Sequence, residues 1–217
     1  MPRKPALPGI DRRQLILEAA LPVFAQQGFE AATNKEITER AGVNQGLIYF
    51  YFESKADLFF ATFEHHARLV MAQLDAAFAQ VGDEEPITGL HHLLRRIVEV
   101  LDTPRAISLL RLMHQTAGSR LPDGTLSSRD EQRSVGMLAE HLMTRLCDYL
   151  KTHIMRKASH PLKPSTVALL MTRTLVASIG ARELDQPAQL SRAELAESIA
   201  SLFCYGLLES AERRTTD

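Results

Sequence analysis

The sequence has few cysteines and no excess of positive charge, and these two shortages exclude several classes of protein. Among 217 residues it has two cysteines, Cys147 and Cys204, too few for a disulfide framework and typical of a reducing compartment. Its 25 basic residues are balanced by 26 acidic ones. No overall positive charge therefore indicates a nucleic-acid partner, and binding to a polyanion would need a local patch of basic residues. The length allows one or two domains with a proper core.

Targeting signals are also missing from the pattern. The basic N-terminal segment, residues 1–14, is interrupted by prolines and lacks the apolar region of a signal peptide. The longest apolar stretch, residues 169–179, contains Arg173 and is too short to cross a bilayer. We therefore expect a cytoplasmic protein without a membrane partner.

The apolar pattern that is present is helical. Apolar residues recur at the three- and four-residue spacing of an amphipathic helix almost throughout, as in Leu90, Leu93, Leu94 and Ile97. No comparable segment alternates with the two-residue period of a strand. The sequence therefore predicts an all-α fold with about nine helices.

Capping residues mark several helix ends. Gly28 suits the left-handed conformation just past a helix C-terminus. A capping box places a hydroxyl on the amide three residues later and returns a carboxylate to the cap amide. This spacing occurs at three places: Thr33 with Glu36, Ser54 with Asp57, and Ser191 with Glu194.

Three prolines bear on the helices. Pro86 and Pro104 suit the first turns of two middle helices, where a missing N–H is no loss. Pro22 lies inside the first helix and cannot donate a bond to the carbonyl of Glu18. We expect a kink there, or a tilt of the C-terminal half of the helix.

Residues 33–58, TNKEITERAGVNQGLIYFYFESKADL, carry the functional signal. Thr33 opens a short helix to about Ala41, Gly42 supplies a tight turn, and Asn44 caps a second short helix to about Phe52. Two short helices joined by a turn that contains glycine describe a helix-turn-helix. Its second helix enters the major groove of DNA, with its N-terminal residues nearest the bases.

The second short helix has an inner and an outer face. Ile48 and Phe52 are four residues apart and face the core with Ile37 and Val43. The remaining positions face outward, namely Gln45, Leu47, Tyr49 and Phe50. Four consecutive aromatic residues, 49–52, cannot all face one way on a helix, so at least one is exposed and requires a reason.

Two residues at the start of this helix suit a groove. Gly46 has no side chain and lets the backbone approach DNA closely. Gln45 can pair with base edges, with adenine in particular. Each such feature alone is usually a structural signal, and only the complete spaced pattern favours DNA binding.

This segment resembles the DNA-binding domain of TetR-type transcriptional regulators. The resemblance extends over residues 12–58, roughly a fifth of the chain. It includes Ala20, Phe24, Gly28, Thr33, Ile37, Ala41, Gly42, Val43, Gly46, Tyr49, Tyr51, Phe52, Ser54, Lys55 and Leu58. The rest of the chain resembles the family only in architecture.

The resemblance implies DNA contacts for individual residues. Thr33 would contact a DNA phosphate group. Further contacts with the DNA backbone are implied for Tyr49, Tyr51 and Lys55. Groove contacts are implied for Gln45, Gly46 and Leu47, beside Asn44 and Phe50.

Two residues depart from the family pattern. Phe50 stands where a histidine is common, which exchanges a polar phosphate contact for an apolar contact with a thymine methyl group. Glu53 stands where a basic residue is common and would repel phosphate. A basic arm containing Arg3, Lys4, Arg12 and Arg13 is expected to compensate.

The domain prediction is a DNA-binding domain at residues 10–57 and a helical effector-binding and dimerisation domain at residues 58–217. The last two helices of the second domain, about 165–182 and 192–209, each carry a stripe of apolar and small residues. The resemblance implies that this pair forms a four-helix dimer interface, whereas burial within one subunit is the alternative. The interface candidates are Leu170, Thr174, Leu175, Ser178, Ile199, Leu202, Phe203 and Gly206.

The ligand pocket is the least defined prediction. Its candidates are apolar or polarisable residues and polar residues that suit a ligand head group, but all of them suit an ordinary core or surface equally well. They are Phe63, His66, Arg111, Met113, His114, Met137, His141 and Met171. We expect no cofactor and no metal, because the adjacent pairs His65–His66 and His91–His92 point to different helix faces. Neither cysteine has the strongly basic neighbours of a redox sensor.

The combined prediction is a ligand-responsive transcriptional regulator, most simply a repressor, that binds palindromic operator DNA as a homodimer. A small apolar or amphipathic effector would release it. The alternative is an architectural or adaptor DNA-binding protein of the same fold without an effector. No catalytic motif of the common hydrolase, metalloprotease or nucleotide-binding classes occurs, so an enzyme is not expected.

Overall fold

The structure is a computed structural model that describes residues 11–82, 84–116, 129–155, 162–181 and 191–212. Within these ranges it contains nine α-helices, one π-helical turn and no strand, which confirms the all-α prediction. The elements are α1 (Arg12–Ala31), α2 (Asn34–Ala41), α3 (Gly46–Tyr51), α4 (Lys55–Ala79), α5 (Pro86–Leu101), α6 (Pro104–Thr116), α7 (Arg129–Tyr149), the π-helical turn (Leu150–Ile154), α8 (Pro164–Ala181) and α9 (Arg192–Glu212). None of these helices combines the length and the apolar composition that a membrane span requires.

The described residues form two compact units. The first comprises residues 11–66 with residues 111–116 and 129–135, and the second comprises the remaining described residues from 67–110 and from 136 onward. The two units divide α4 between residues 66 and 67. The predicted boundary between residues 57 and 58 stays a prediction.

An aromatic cluster joins α1 to α4 within the first unit. The ring of Phe59 meets the rings of Phe24 and Phe29 edge-on, at centroid distances of 5.1 and 5.4 Å. The rings of Phe24 and Phe29 stack at 6.3 Å. Phe24 and Phe59 are almost fully buried, as is Phe63 one turn further along α4. Edge-to-face pairs of this kind contribute about 0.5–1.5 kcal/mol each beyond the area they bury.

The interruption of α1 lies at Gly28 and not at Pro22. Gly28 has φ +79° and ψ 172°, whereas the helical dihedral angles continue through Pro22. A side chain would make this φ costly, which is why glycine is suited to the position. The sequence predicted that the first helix ends at Gly28. The helical angles are interrupted there, but the helix resumes and ends at Ala31. The helix is therefore interrupted at Gly28 and not at Pro22, where a kink was expected.

The second unit is built around α5. One face of α5 is completely buried and packs against α9, α8 and the π-helical turn. The buried face consists of Leu90, Leu93, Leu94, Ile97, Val98 and Leu101. Pro86 occupies the first turn as predicted, and the Glu85 carboxylate accepts hydrogen bonds from the amides of Ile87 and Thr88. Those bonds hold the pKa of Glu85 below its ordinary value.

Both cysteines are free, and Cys204 is buried in the second unit. Its thiol lies 3.7 Å from the carbonyl oxygen of Ile87. Burial raises the pKa of Cys204 to about 11. The thiol form therefore dominates at neutral pH, which makes this side chain a poor nucleophile.

Candidate nucleic-acid interface

The capping box at Thr33 is formed in full and starts α2. The amide of Glu36 donates to the Thr33 hydroxyl oxygen at 3.2 Å, and the Thr33 amide donates to the Glu36 carboxylate at 3.1 Å. The Thr33 hydroxyl also donates to that carboxylate at 2.8 Å, and Gln27 of α1 donates to its other oxygen at 3.1 Å. Together these bonds lower the pKa of Glu36 from its ordinary value. These hydrogen bonds cap the first turn of α2 and connect it to α1.

Gly42 makes the turn between α2 and α3. It has φ +68° and ψ 29°, the left-handed conformation that glycine adopts at no steric cost. The Val43 amide donates to the Thr38 carbonyl at 3.1 Å, which closes the end of α2. The structure therefore confirms two short helices joined by a glycine-containing turn.

Asn44 positions the start of α3. Its side-chain oxygen accepts from the Leu47 amide at 3.1 Å. A Cβ atom added at Gly46 would lie 3.3 Å from that oxygen, so the absence of a side chain at Gly46 also gives room to the cap. Asn44 therefore accepts a hydrogen bond from the first turn of α3, as its predicted capping role requires, although the residue directly before the helix is Gln45.

The structure confirms the predicted inner side chains Ile48 and Phe52 and the predicted outer side chains Gln45, Tyr49 and Phe50, but not the assignments of Leu47 and Val43. Ile48 and Phe52 are buried to within 2% of full burial, together with Ile37 of α2. Tyr49 and Phe50 are 64% and 76% exposed. Gln45 is also exposed, whereas Leu47, Tyr51 and Val43 are half-buried. The ring of Tyr51 meets that of Phe50 edge-on at 5.0 Å.

Lys55 begins α4 and faces the end of α1. Its ammonium donates to the carbonyl oxygen of Glu30 at 2.8 Å and lies 5.0 Å from the centroid of the Phe29 ring. Burial lowers the pKa of Lys55, and the carboxylate of Glu30 opposes that shift. Lys55 therefore stabilises the last turn of α1, a structural role that its sequence position did not reveal.

Arg12 and Arg13 lie in the first turn of α1, which corrects their predicted place in a basic arm. Both are exposed, and the guanidinium of Arg13 lies 5.2 Å from the centroid of the Phe52 ring. Cations at a helix N-terminus oppose the helix dipole, by about 0.3–1 kcal/mol each. Sequence reasoning missed this contact because Arg13 and Phe52 are far apart along the chain. Arg3 and Lys4 lie outside the described residues.

The candidate pocket residues do not share one unit. Phe63, His66, Arg111, Met113 and His114 belong to the first unit, and Met137, His141 and Met171 belong to the second. Phe63, His66 and Met171 are buried, whereas His114 is exposed.

Two of the candidate pocket histidines have structural partners. Nε2 of His66 lies 3.0 Å from the carbonyl oxygen of Leu17, and Nε2 of His141 lies 3.0 Å from the Asp75 carboxylate. Nε of Arg145 also lies 3.1 Å from that carboxylate and forms an ion pair with it. These contacts favour structural roles for His66 and His141 over recognition of a small-molecule effector.

Some of the residues predicted for the dimer interface lie in the core, and others lie on the surface. Leu175 and Ile199 are buried, and they therefore belong to the core instead of to a surface that a second copy could touch. Leu170 and Leu202 are 54% and 66% exposed. Thr174, Ser178 and Phe203 are half-buried, and Gly206 lies on α9 at a position whose surroundings are outside the described residues.

Three comparisons relate the chain to known proteins. A family model described as bacterial regulatory proteins of the tetR family matches residues 16–62. The chain is 32% identical over 110 residues to the transcriptional regulator AcrR of Shigella flexneri, a match that covers 51% of each protein. It is 30% identical over 167 residues to the transcriptional regulator SrpR of Pseudomonas putida, covering 63% of this chain and 74% of SrpR.

A likeness to solved structures extends over most of the chain. The crystal structure of the transcriptional regulator FadR of Bacillus subtilis, in complex with stearoyl-CoA, matches with a TM-score of 0.70 at 16% sequence identity. The match covers 89% of this chain and 98% of that one. At this identity the likeness shows a shared fold.

Neutralising Glu36 tests the capping box. Because hydrogen bonds lower its pKa from 4.5, the ionised carboxylate stabilises the fold above about pH 4.5, and this stabilisation is lost as the pH falls through the lower pKa of the folded state. We expect Glu36→Gln to lower the midpoint of thermal unfolding at pH 7 and to lower it less at pH 3. The control is Glu39→Gln, which removes an exposed carboxylate of the same helix that lies 3.9 Å from Lys35 and takes no part in the capping box. Equal shifts at both pH values for Glu36→Gln would contradict the assignment.

Proposed function

The chain belongs to the TetR family of DNA-binding transcriptional regulators, and on that premise we propose that it is a ligand-responsive repressor that binds a palindromic operator as a homodimer. The observation that carries the proposal is the outer face of α3. Exposing two large aromatic rings to water on a six-residue helix is unfavourable unless a partner covers them. DNA in the major groove is the partner that a second helix of this motif meets.

The residues of α3 suit base contacts. Gln45 lies at the N-terminal end of the helix, where side chains come nearest to the bases, and its amide matches the donor and acceptor of adenine. Phe50 suits the methyl group of thymine. Gly46 and the half-buried Leu47 let the helix approach the groove closely, with Asn44 holding the preceding turn.

The phosphate contacts have a cost that the family resemblance alone does not reveal. The Thr33 hydroxyl donates to Glu36, so it must turn away from a carboxylate before it can donate to phosphate. The Glu30 carbonyl takes one of the three N–H donors of Lys55. Tyr49 and Tyr51 carry phenolic groups on the same helix, and Arg12 and Arg13 add positive charge in the first turn of α1.

The dimer proposal rests on exposed apolar residues of α8 and α9. Leu169, Leu170, Leu202 and Tyr205 are all large and exposed, although both helices also contribute to the core through Leu175 and Ile199. Apolar surface on two helices that are already anchored favours coverage by a second copy. A two-fold dimer would place two α3 helices on successive turns of the major groove, which is why the operator is expected to be palindromic.

The effector proposal is a small apolar or amphipathic molecule. FadR of Bacillus subtilis shares this fold and was crystallised with stearoyl-CoA. An effector of this kind regulates DNA binding if its affinity differs between two conformations, typically by about 1–3 kcal/mol. Within the second unit, Met171 is the buried apolar candidate that suits such a ligand.

Gln45→Ala tests sequence reading by α3. We expect the wild type to select a palindromic motif from a random DNA pool at near-physiological salt. The variant should lose preference at one position in each half-site, with a cost of about 1–3 kcal/mol on the preferred base only. The matched control is Gln73→Ala, another exposed glutamine on a helix but within the second unit. Salt-sensitive binding without any enriched motif would contradict the proposal and favour an architectural protein.

Leu202→Glu tests the dimer. A charge at the centre of an apolar interface should weaken association by at least about 2.7 kcal/mol, or roughly a hundredfold. Sedimentation equilibrium measures the monomer–dimer constant directly. Leu162→Glu is the control, since Leu162 is an exposed leucine outside the helices. A dimer of unchanged strength in Leu202→Glu would place the interface elsewhere.

Addition of stearoyl-CoA to the complex with the selected operator tests the effector. We expect it to release the DNA in an electrophoretic or anisotropy assay, because the acyl chain supplies the apolar surface that the proposed pocket would bury. Coenzyme A without the acyl chain is the control. If stearoyl-CoA, free stearate and smaller apolar compounds all leave the complex intact, the alternative without an effector is favoured.

A further inference from the structure

Three ligand-type side chains meet where α1 crosses α4 within the first unit. Glu18 comes from α1, and His65 and His66 are consecutive residues of α4. The ligand atoms that they offer all lie within 4.8 Å of one another. Among the described residues, no other group of three or more histidine, cysteine, aspartate or glutamate side chains lies this close together. The sequence predicted no metal here, because adjacent histidines point to different helix faces. The third ligand, Glu18, is 47 residues from His65 along the chain and is brought near only by the fold.

We propose that Glu18, His65 and His66 bind one divalent first-row transition metal ion, with zinc as the ion to test. Two imidazoles and a carboxylate form a nitrogen and oxygen donor set that suits Zn²⁺ and its neighbours better than Ca²⁺ or Mg²⁺, which prefer oxygen ligands alone. Three protein ligands leave a fourth position for water, as in open zinc sites.

The separation of the first two ligand atoms already fits a metal. Tetrahedral zinc with bonds of about 2.0–2.1 Å places neighbouring ligand atoms about 3.3 Å apart. Oε1 of Glu18 and Nε2 of His65 are 3.3 Å apart. The nitrogen of His66 lies at most 4.8 Å from these two atoms, so the distances have to shorten by at most about 1.5 Å. The partly exposed side chains of Glu18 and His65 can supply this movement while His66 keeps its bond to Leu17.

The backbone of α1 orients His66 for this role. A carbonyl oxygen only accepts hydrogen bonds, so the 3.0 Å contact with the Leu17 oxygen places the proton of the neutral ring on Nε2. The lone pair then resides on Nδ1, the form in which a histidine ligates. A ligating histidine usually donates its other N–H to a carbonyl or a carboxylate in this way, which holds the ring in place.

Burial and access are also suitable. His66 is buried, whereas the side chains of His65 and Glu18 are partly exposed, so an ion has a path from solvent. The rings of His65 and His66 are 4.9 Å apart. In the other adjacent pair, the ring centroids of His91 and His92 are 6.1 Å apart. Each of these histidines contacts a different carboxylate, that of Glu197 and that of Glu84 respectively.

Bound metal would fasten α1 to α4 beside the aromatic cluster. The ion would replace a weak hydrogen bond between Glu18 and His65 with bonds from both helices to one centre. We expect this to stabilise the first unit, because ligand binding to the folded state alone raises its stability. The inference goes beyond the proposed function and does not depend on DNA binding.

His65→Gln is the principal test, carried out on the full chain in a reducing buffer. Zinc affinity is measured by competition with a chromogenic chelator, and Co²⁺ is added as a spectroscopic probe. We expect the wild type to bind one equivalent of zinc and to show Co²⁺ absorption without a thiolate charge-transfer band. His65→Gln should lose at least about tenfold in zinc affinity, since even the loss of an outer-shell partner costs that much. Zinc should raise the thermal midpoint of the wild type and leave that of the variant unchanged.

His92→Gln is the matched control, because His92 also belongs to an adjacent pair and contacts a carboxylate, Glu84, at 2.8 Å. It should bind zinc as the wild type does. Glu18→Gln is a second variant that keeps both histidines and guards against a folding defect, which circular dichroism without metal would detect. The proposal is overturned if the wild type binds no zinc, or if affinity is unchanged in both His65→Gln and Glu18→Gln. Equal losses in His65→Gln and His92→Gln would likewise show adventitious binding only.

Discussion

The packing of α1 against the first half of α4 is the contact on which the candidate DNA-binding surface depends. Helices of eight and six residues, such as α2 and α3, are too short to be stable alone in water. They persist because Ile37, Ile48 and Phe52 are buried in a unit whose centre is the Phe24–Phe29–Phe59 cluster. The Lys55–Glu30 and His66–Leu17 hydrogen bonds join the same two helices on either side of that cluster.

The shortness of α3 determines what it can present. Ile48 and Phe52 are the side chains that bury the inner side of this short segment. Only about one turn of side chains remains on the outer side, and it includes Tyr49 and Phe50. The burial of Ile48 and Phe52 fixes the inner side of α3 against the core of the first unit and leaves the rings of Tyr49 and Phe50 exposed on its outer side.

Several polar groups of this surface already have internal partners. The Thr33 hydroxyl is committed to Glu36, and the Lys55 ammonium is committed to the carbonyl end of α1. Contact with phosphate would therefore exchange one hydrogen bond for another and would gain less than an unpaired group would. Under the proposed function, specificity would depend more on Gln45 and Phe50, which are exposed, than on the polar residues at the ends of the helices.

The sequence by itself determined the features that depend on near neighbours along the chain. The capping box of Thr33, the turn at Gly42, the proline at the start of α5 and the inner face of α3 all arise from hydrogen bonds or periodicities within four residues. The family resemblance was readable for the same reason, since its motif is local. Local interactions of this kind hold whatever the rest of the chain does.

Only the tertiary structure decided which helix faces meet. It buried Leu175 and Ile199 while exposing Leu170 and Leu202 on the same two helices, and it placed Arg13 on Phe52. It also brought Glu18 to two histidines whose sequence positions point to different faces. These contacts join residues that are distant along the chain, and they depend on packing angles between helices, which the periodicity of a single helix does not determine.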